Sequence, residues 1–325
     1  MSAFRPLRVG TRGSALALWQ TERVRELLAR SGRPTERVEI RTTGDLVQEV
    51  PLSSIGSRAL FTRQIDEAML EGRIDLAVHS LKDLPTVLPA GIALAAVSER
   101  EDPRDALVGR AGTRWAEIPE GATLATSSLR RRAQLLHRRP DLRIVDVRGN
   151  VDTRLAKLDA SPEWSGILLA AAGLIRLGLE HRIGERLPPE VMLPAPGQGA
   201  LAVTARADDA DALGAARVAV HHPPTALAVG AERAFLRRLE GGCQVPVAAH
   251  ALLDPGGSAQ VLRLAGRVVS LFGERAVEGT EAAPAGDARE AEALGVGLAE
   301  RLLADGAAEI LAGVREAAGP PVTGP

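Results

Sequence analysis

Glu99-Arg-Glu-Asp-Pro103 is polar and carries a proline, and it interrupts an otherwise regular alternation of strand and helix patterns. Before it, strands are expected at residues 7–10, 38–43, 74–80 and 92–97. Helices are expected from the Ser14 N-cap to about Arg30 and over residues 60–71, where Phe61, Ile65, Ala68 and Met69 share a face. Beyond it the rhythm resumes, with strands at 123–126, 143–147 and 167–171 and helices at 129–139 and 151–158. A second linker, Met192-Leu-Pro-Ala-Pro-Gly-Gln198, leads into a strand at 200–205. Two linkers around one α/β block imply that the chain leaves a first domain, builds a second, and returns. The expected architecture is α/β, with two lobes forming a clamp around a cleft. A smaller α+β C-terminal domain follows, with a helix at 225–239, three strands and a helix at 290–303. The expected domains are residues 1–98 with 198–216, residues 103–193, and residues 220–325. No internal repeat stands out.

Hydrophobic residues make up 45% of the chain and charged ones 25%, as in an ordinary globular protein. The net charge of -1 and an aromatic content of 2% exclude the chain as a whole from electrostatic or stacking recognition of nucleic acid. No apolar run reaches the length of a membrane span, and no apolar signal region opens the chain, so a cytoplasmic protein is expected. The histidines and the cysteine show no zinc spacing, so no metal is expected.

Leu239-Glu-Gly-Gly-Cys-Gln-Val-Pro246 contains the chain's one cysteine, Cys243, which therefore has no intramolecular disulfide partner. A lone cysteine is commonly a small buried hydrophobe. Two preceding glycines and a position between helix and strand also suit a reachable thiol, a nucleophile or an attachment point. The residues alone leave both readings open.

Four strand ends carry unusual side chains, and in open α/β sheets ligands gather there. Arg12 and Ser14 follow the first strand. Lys82 and Asp83 follow the strand at 74–80, and Lys82 is one of only two lysines among 40 basic residues. Thr126-Ser-Ser-Leu-Arg-Arg-Arg132 and Arg148-Gly-Asn-Val-Asp-Thr-Arg154 follow two strands of the middle block. Eight arginines against three aspartates between Thr126 and Arg154 give a local excess of five positive charges. Arginines opposing the dipole at a helix start, beside hydroxyls and backbone N–H groups, suit a polyanionic ligand. Asp83 either pairs with Lys82 or meets positive charge on that ligand.

Together with Thr11-Arg-Gly-Ser-Ala-Leu-Ala-Leu-Trp-Gln20, Ala77-Val-His-Ser-Leu-Lys-Asp83, Glu99-Arg-Glu-Asp-Pro-Arg-Asp105, Arg148-Gly-Asn150 and Pro196-Gly-Gln-Gly199, these stretches resemble the hydroxymethylbilane synthase, or porphobilinogen deaminase, family. The resemblance covers nearly the whole chain and is weakest after about residue 255. It implies a transferase of tetrapyrrole (heme) biosynthesis, built from two lobes like those of periplasmic binding proteins and a third domain bearing the cysteine. It implies a dipyrromethane cofactor in thioether linkage to Cys243, to which four porphobilinogen units are added before hydrolysis releases the linear tetrapyrrole. By match to the family's motifs, Asp83 is the catalytic carboxylate. Cys243, Lys82, Thr126, Ser128, Arg130, Arg131, Arg148 and Gly149 are expected to bind the cofactor. Arg12, Ser14, Gln20, Phe61, Arg148, Arg154, Arg176 and Gln198 are expected to bind substrate. The resemblance further implies a monomer.

One loop departs from the family pattern. Ser54 and Arg58 stand where two lysines are usual, and Ser57 and Ala59 stand where glycines are expected, which predicts a stiffer lid. Two other readings use the same residues, a non-enzymatic clamp for small carboxylates and a cofactor-free cysteine nucleophile. The first leaves Cys243 unexplained.

Overall fold

The computed structural model describes residues 5–42, 62–239, 245–254 and 260–318. Strand β1 (Leu7–Thr11) buries Leu7 and Val9, and the turn after it ends at Ser14, whose Oγ accepts the Ala17 amide at 3.4 Å to cap α1 (Ala15–Arg30). Strand β2 spans Thr35–Glu39, earlier than the expected 38–43. It pairs in parallel with β1, Leu7 opposite Thr35 and Thr11 opposite Glu39, so the length of β1 limits it. Beyond Ile40, Thr42 has no further β1 backbone to join. Helix α2 (Arg63–Leu70) buries Ile65, Ala68 and Met69 as its pattern predicts, and β3 (Leu76–Ser80) and β4 (Ile92–Val97) follow.

The middle block opens with β5 (Asp105–Gly109), a strand the sequence reading did not include. It continues through β6 (Thr123–Ala125), α3 (Leu129–Arg138), β7 (Arg143–Val145), α4 (Val151–Ala160), β8 (Trp164–Ala170), α5 (Ala171–Arg176) and β9 (Glu185–Arg186). Alternate residues of this sheet enter two different cores. Ala106, Val108, Ile167 and Leu169 pack with Val147 and Leu155, while Leu107, Leu124 and Leu168 pack with Leu135 and Met192.

Strand β10 (Leu201–Arg206) returns to the first sheet and α6 (Ala210–Val220) covers it. Just before β10, Gly199 has φ +92°, and a Cβ there would lie 2.3 Å from the Glu101 carbonyl oxygen; the two crossing segments pass too closely for any other residue. The two five-stranded sheets run β2-β1-β3-β10-β4 and β7-β6-β8-β5-β9. In each, three parallel strands are followed by an antiparallel fourth, and that fourth strand is the one received directly after a linker crossing. The relation between the lobes is thus in their topology, where no sequence repeat shows it.

Helix α7 (Pro223–Arg238) leads to an antiparallel sheet of β11 (Val247–Leu253), β12 (Val261–Val269) and β13 (Ala276–Pro284), the three-stranded C-terminal sheet expected from the sequence. The expected helix at 290–303 is α8 (Ala288–Leu302), and beyond a break at Leu303–Ala307 the chain adds a helix the sequence reading did not include, α9 (Ala308–Ala318). Helical structure resumes because Ile310, Leu311 and Val314 supply a second buried face.

The described residues up to Glu101 and Gly199–Ala226 form one compact unit; Asp102–Gln198 and the described residues from Leu227 onward form the other. Inside the second unit, Glu232 of α7 is fully buried and accepts the amides of Gly197 and Ala251, each at 2.7 Å. Replacing it with alanine strands two buried donors, so Glu232→Ala is expected to lower stability by about 3 kcal/mol in urea denaturation. An unchanged urea midpoint would show that these bonds are dispensable.

Candidate active site

Each five-stranded sheet brings the carboxyl ends of its three parallel strands to an edge of its own, and most of the expected site residues that are described lie at one or the other. In the first unit, Arg12 and the capping Ser14 follow β1, and a single helical turn, Leu81–Asp83, follows β3. The turn is anchored by the Leu81 amide on the Ala200 carbonyl at 3.0 Å, and it leaves Lys82 half-buried and Asp83 exposed. Gln20 is buried, and its Nε2 donates to Ser80 Oγ at 2.9 Å, tying α1 to the end of β3. His79 Nε2 meets Thr204 Oγ1 at 3.3 Å; burial, with a smaller effect from the Arg12 guanidinium, pushes its pKa down to about 4. The imidazole beside this edge is therefore neutral at pH 7.

In the second unit, Thr126 Oγ1 accepts the Ser128 amide at 3.2 Å, and Ser128 Oγ caps α3 by accepting the Arg131 amide at 3.4 Å. The Ser127 hydroxyl donates to the Val147 carbonyl at 2.9 Å and accepts the Val147 amide at 3.0 Å. These bonds bring the Thr126–Arg132 and Arg148–Arg154 junctions side by side. Gly149 has φ +114°, and a Cβ there would sit 2.7 Å from the Thr153 side chain, so this turn requires glycine. Arg154 Nε donates to the Gly149 carbonyl at 2.9 Å, which holds its guanidinium over the turn. Arg148 Nη1 is buried without a hydrogen-bond partner among the described residues. Arg176 ends α5, directly after β8, and is buried.

The residue that organises this unit is Asp105, which the sequence reading quoted in a motif without a role. Its side chain is fully buried at the start of β5. It accepts Arg130 Nη1 at 2.7 Å, Arg130 Nη2 at 3.1 Å, Arg131 Nε at 2.9 Å and Gln198 Nε2 at 3.1 Å. Burial alone would raise its pKa, but Arg130 and Arg131 outweigh that and hold it well below the usual carboxylate range. Arg130 Nη1 and Arg131 Nη1 also donate to the carbonyls of Leu193 and Leu168, both at 2.8 Å, and Gln198 Nε2 donates to the Pro103 carbonyl at 2.7 Å. One carboxylate against two guanidiniums leaves one net positive charge in a nearly water-free cluster. The first duty of Arg130, Arg131 and Gln198 is thus to Asp105, a partnership no local pattern announces. Cys243, Phe61 and the lid positions Ser54, Ser57, Arg58 and Ala59 lie outside the described residues.

Chemically, the second unit's edge offers helix-start hydroxyls and amides, a buried cluster of net charge +1, and a buried guanidinium N–H at Arg148. Such a donor set suits carboxylates on an organic group. The first unit's edge adds an exposed carboxylate next to a lysine.

Residues 7–214 match the family model described as porphobilinogen deaminase, dipyromethane cofactor binding domain, and residues 226–304 match that of the porphobilinogen deaminase C-terminal domain. A porphobilinogen deaminase of Geobacter metallireducens is 50% identical over 310 residues, 95% of this chain and 94% of that one. One from Syntrophotalea carbinolica is 52% identical over 308 residues, 94% of this chain and 95% of that one. Among solved structures, the methionine binding protein MetQ matches 66% of this chain and 89% of its own at 13% identity, with a TM-score of 0.41.

Proposed function

The chain belongs to the porphobilinogen deaminase family, and on that premise we propose that it is a transferase of tetrapyrrole biosynthesis. It joins four porphobilinogen molecules to a dipyrromethane cofactor held by a thioether to Cys243, loses one ammonia per addition, and releases hydroxymethylbilane by hydrolysis. The observation that carries this reading is the match of residues 7–214 to the cofactor-binding domain. The donor set at the edge of the second unit is compatible with such a group: the orphaned Arg148 Nη1 lacks an acceptor that a carboxylate would supply. Thr126, Ser128, Arg130, Arg131, Arg148, Gly149 and Lys82 hold the cofactor. When bound, that cofactor supplies the pyrrole carbon to which each new unit is joined.

The chain's own residues do the rest. Arg12, Ser14, Arg154 and Arg176 bind the acetate and propionate groups of the substrate. Gln20 and Gln198 serve from one step back, Gln20 by fixing Ser80 and Gln198 by fixing Asp105. Loss of ammonia from the substrate's aminomethyl group develops positive charge on its pyrrole. Asp83 accepts the pyrrole N–H and stabilises that charge as it forms. Cys243 anchors and does not attack at each turnover. The protein acts as a cytoplasmic monomer on a small molecule, without nucleic acid or membrane. Its net charge of -1 is no electrostatic match for nucleic acid, and among the described residues no helix is long and apolar enough to cross a membrane.

An intact mass spectrum with peptide mapping tests the reading. A mass excess of two linked pyrrole units is expected on the Cys243 peptide, and Cys243→Ser is expected to lose both the adduct and the activity. A thiol that stays unmodified after incubation with porphobilinogen would refute it.

A further inference from the structure

Gln134 lies one turn beyond Arg130 on α3 and is buried, yet every polar atom of its side chain is engaged. Its Nε2 donates to the Leu193 carbonyl at 3.1 Å and to the Arg130 carbonyl at 3.3 Å; its Oε1 accepts the Leu193 amide at 2.9 Å. Leu193 is thus gripped through both of its backbone groups, as a neighbouring strand would grip it. The same Leu193 carbonyl receives Arg130 Nη1 at 2.8 Å. Gln134 therefore holds Arg130 at its backbone directly and at its guanidinium through Leu193.

The second acceptor position of Gln134 Oε1 is filled from the C-terminal sheet. Arg267 of β12, also buried, reaches it with Nη1 at 2.8 Å, while its Nε bonds Glu278 Oε2 at 2.6 Å and its Nη2 the Glu190 carbonyl at 3.3 Å. The guanidinium is paired on one side with the half-exposed Glu278, yet it turns Nη1 inward to a neutral amide, and burying it is costly for packing alone because a hydrocarbon could fill the space without desolvation. A charge on Oε1 does polarise the amide, strengthening the Nε2 donation to Leu193 and the bonds beyond it.

We propose that Gln134 and Arg267 are positioning residues. Together they relay the docking of the C-terminal sheet, whose first strand begins four residues after Cys243, to the Arg130–Asp105–Arg131 cluster. The inference rests on the proposed function for the role of that cluster in holding the cofactor. It adds that the cluster is set in place by the part of the chain that carries the attachment cysteine.

The test uses apo-protein incubated with porphobilinogen, the mass gain on Cys243 followed in time, and hydrogen exchange at the Leu193 amide. In Gln134→Leu and Arg267→Met, uptake is expected to slow about tenfold or more, since a displaced positioning group costs on that order. Exchange at Leu193 is expected to quicken by a similar factor. Arg267→Lys, which keeps a cation at Oε1, should lie nearer wild type than Arg267→Met. Arg138→Ala, which loses a different bond to the Glu190 carbonyl, should behave as wild type in uptake. A merely structural role would lower the urea midpoint while leaving uptake by the folded variants unchanged. Uptake within twofold of wild type, or a lysine variant no better than the methionine one, overturns the relay. Should Gln134→Leu not fold, the two Arg267 variants decide alone. If wild type itself gains no mass on Cys243, the functional reading fails. Exchange at Leu193 then still judges the relay, and an unchanged rate in Arg267→Met rejects it.

Discussion

Asp105→Asn is expected to destabilise the second unit by about 3–5 kcal/mol, the range found when one partner of a buried ion pair is removed. The asparagine fits the space but not the charge. Arg130 and Arg131, both 6% exposed, would keep the carbonyls of Leu193 and Leu168 but would face an amide that presents hydrogens as well as oxygen. Gln198 would lose one acceptor and keep Pro103. The pH dependence follows from the direction of the Asp105 shift. In the folded protein the carboxylate stays ionised far below its ordinary pKa, whereas the unfolded chain takes up the proton near pH 4. The stabilisation is therefore complete above about pH 4 and is lost as the pH falls toward the folded value. Urea titrations of both proteins between pH 7 and pH 3 should show a large gap that narrows below about pH 4. A gap that is absent, or constant across that range, would contradict the buried pair.

Asp83→Asn is expected to act in the opposite way, lowering kcat by about 10²–10⁴-fold with the urea midpoint unchanged. The carboxylate is exposed on the short turn after β3, so the fold does not depend on it. Its proposed work lies in the transition state, where ammonia departs and the pyrrole becomes cationic. Asparagine can still accept a pyrrole N–H but offers no charge. KM should move little, because the arginines that bind the carboxylate groups are untouched. Asp83→Glu, with its charge about one bond too far, should fall between the two. Single-turnover measurements of ammonia release would read the step directly. A kcat within tenfold of wild type would remove Asp83 from the chemistry.

The different legibility of these two residues is instructive. Asp83 stands in an open turn, next to one of two lysines, and its exposure could be anticipated from the strand-end pattern alone. Asp105 could not be read that way. It follows Pro103 and Arg104 and looks like the last polar residue of a linker, yet it begins β5, a strand that starts inside the polar hinge stretch. It is buried only because Arg130 and Arg131, on a helix after the next strand, reach back to it. The same long-range pairing alters the reading of those arginines. Their place at a helix start suggested a ligand, and the structure gives each a buried carboxylate within the fold. Gln20 and Gln198 likewise bond to Ser80 and Asp105.

What the sequence by itself determined is most of the order of strands and helices, though not β5, together with the family and the motifs that carry it. All of these depend on spacing within a few residues or on short motifs, where side-chain periodicity, capping and turn chemistry act. Only the tertiary structure decided that the strand after each linker takes the fourth place in its sheet, and that Asp105 gathers Arg130, Arg131 and Gln198. Only there, too, does Arg267 reach Gln134 from 133 residues away. Partners of that kind are chosen by burial: a charge taken out of water must end on whatever opposite charge or dipole the packing brings near, and sequence distance has no bearing on which one that is.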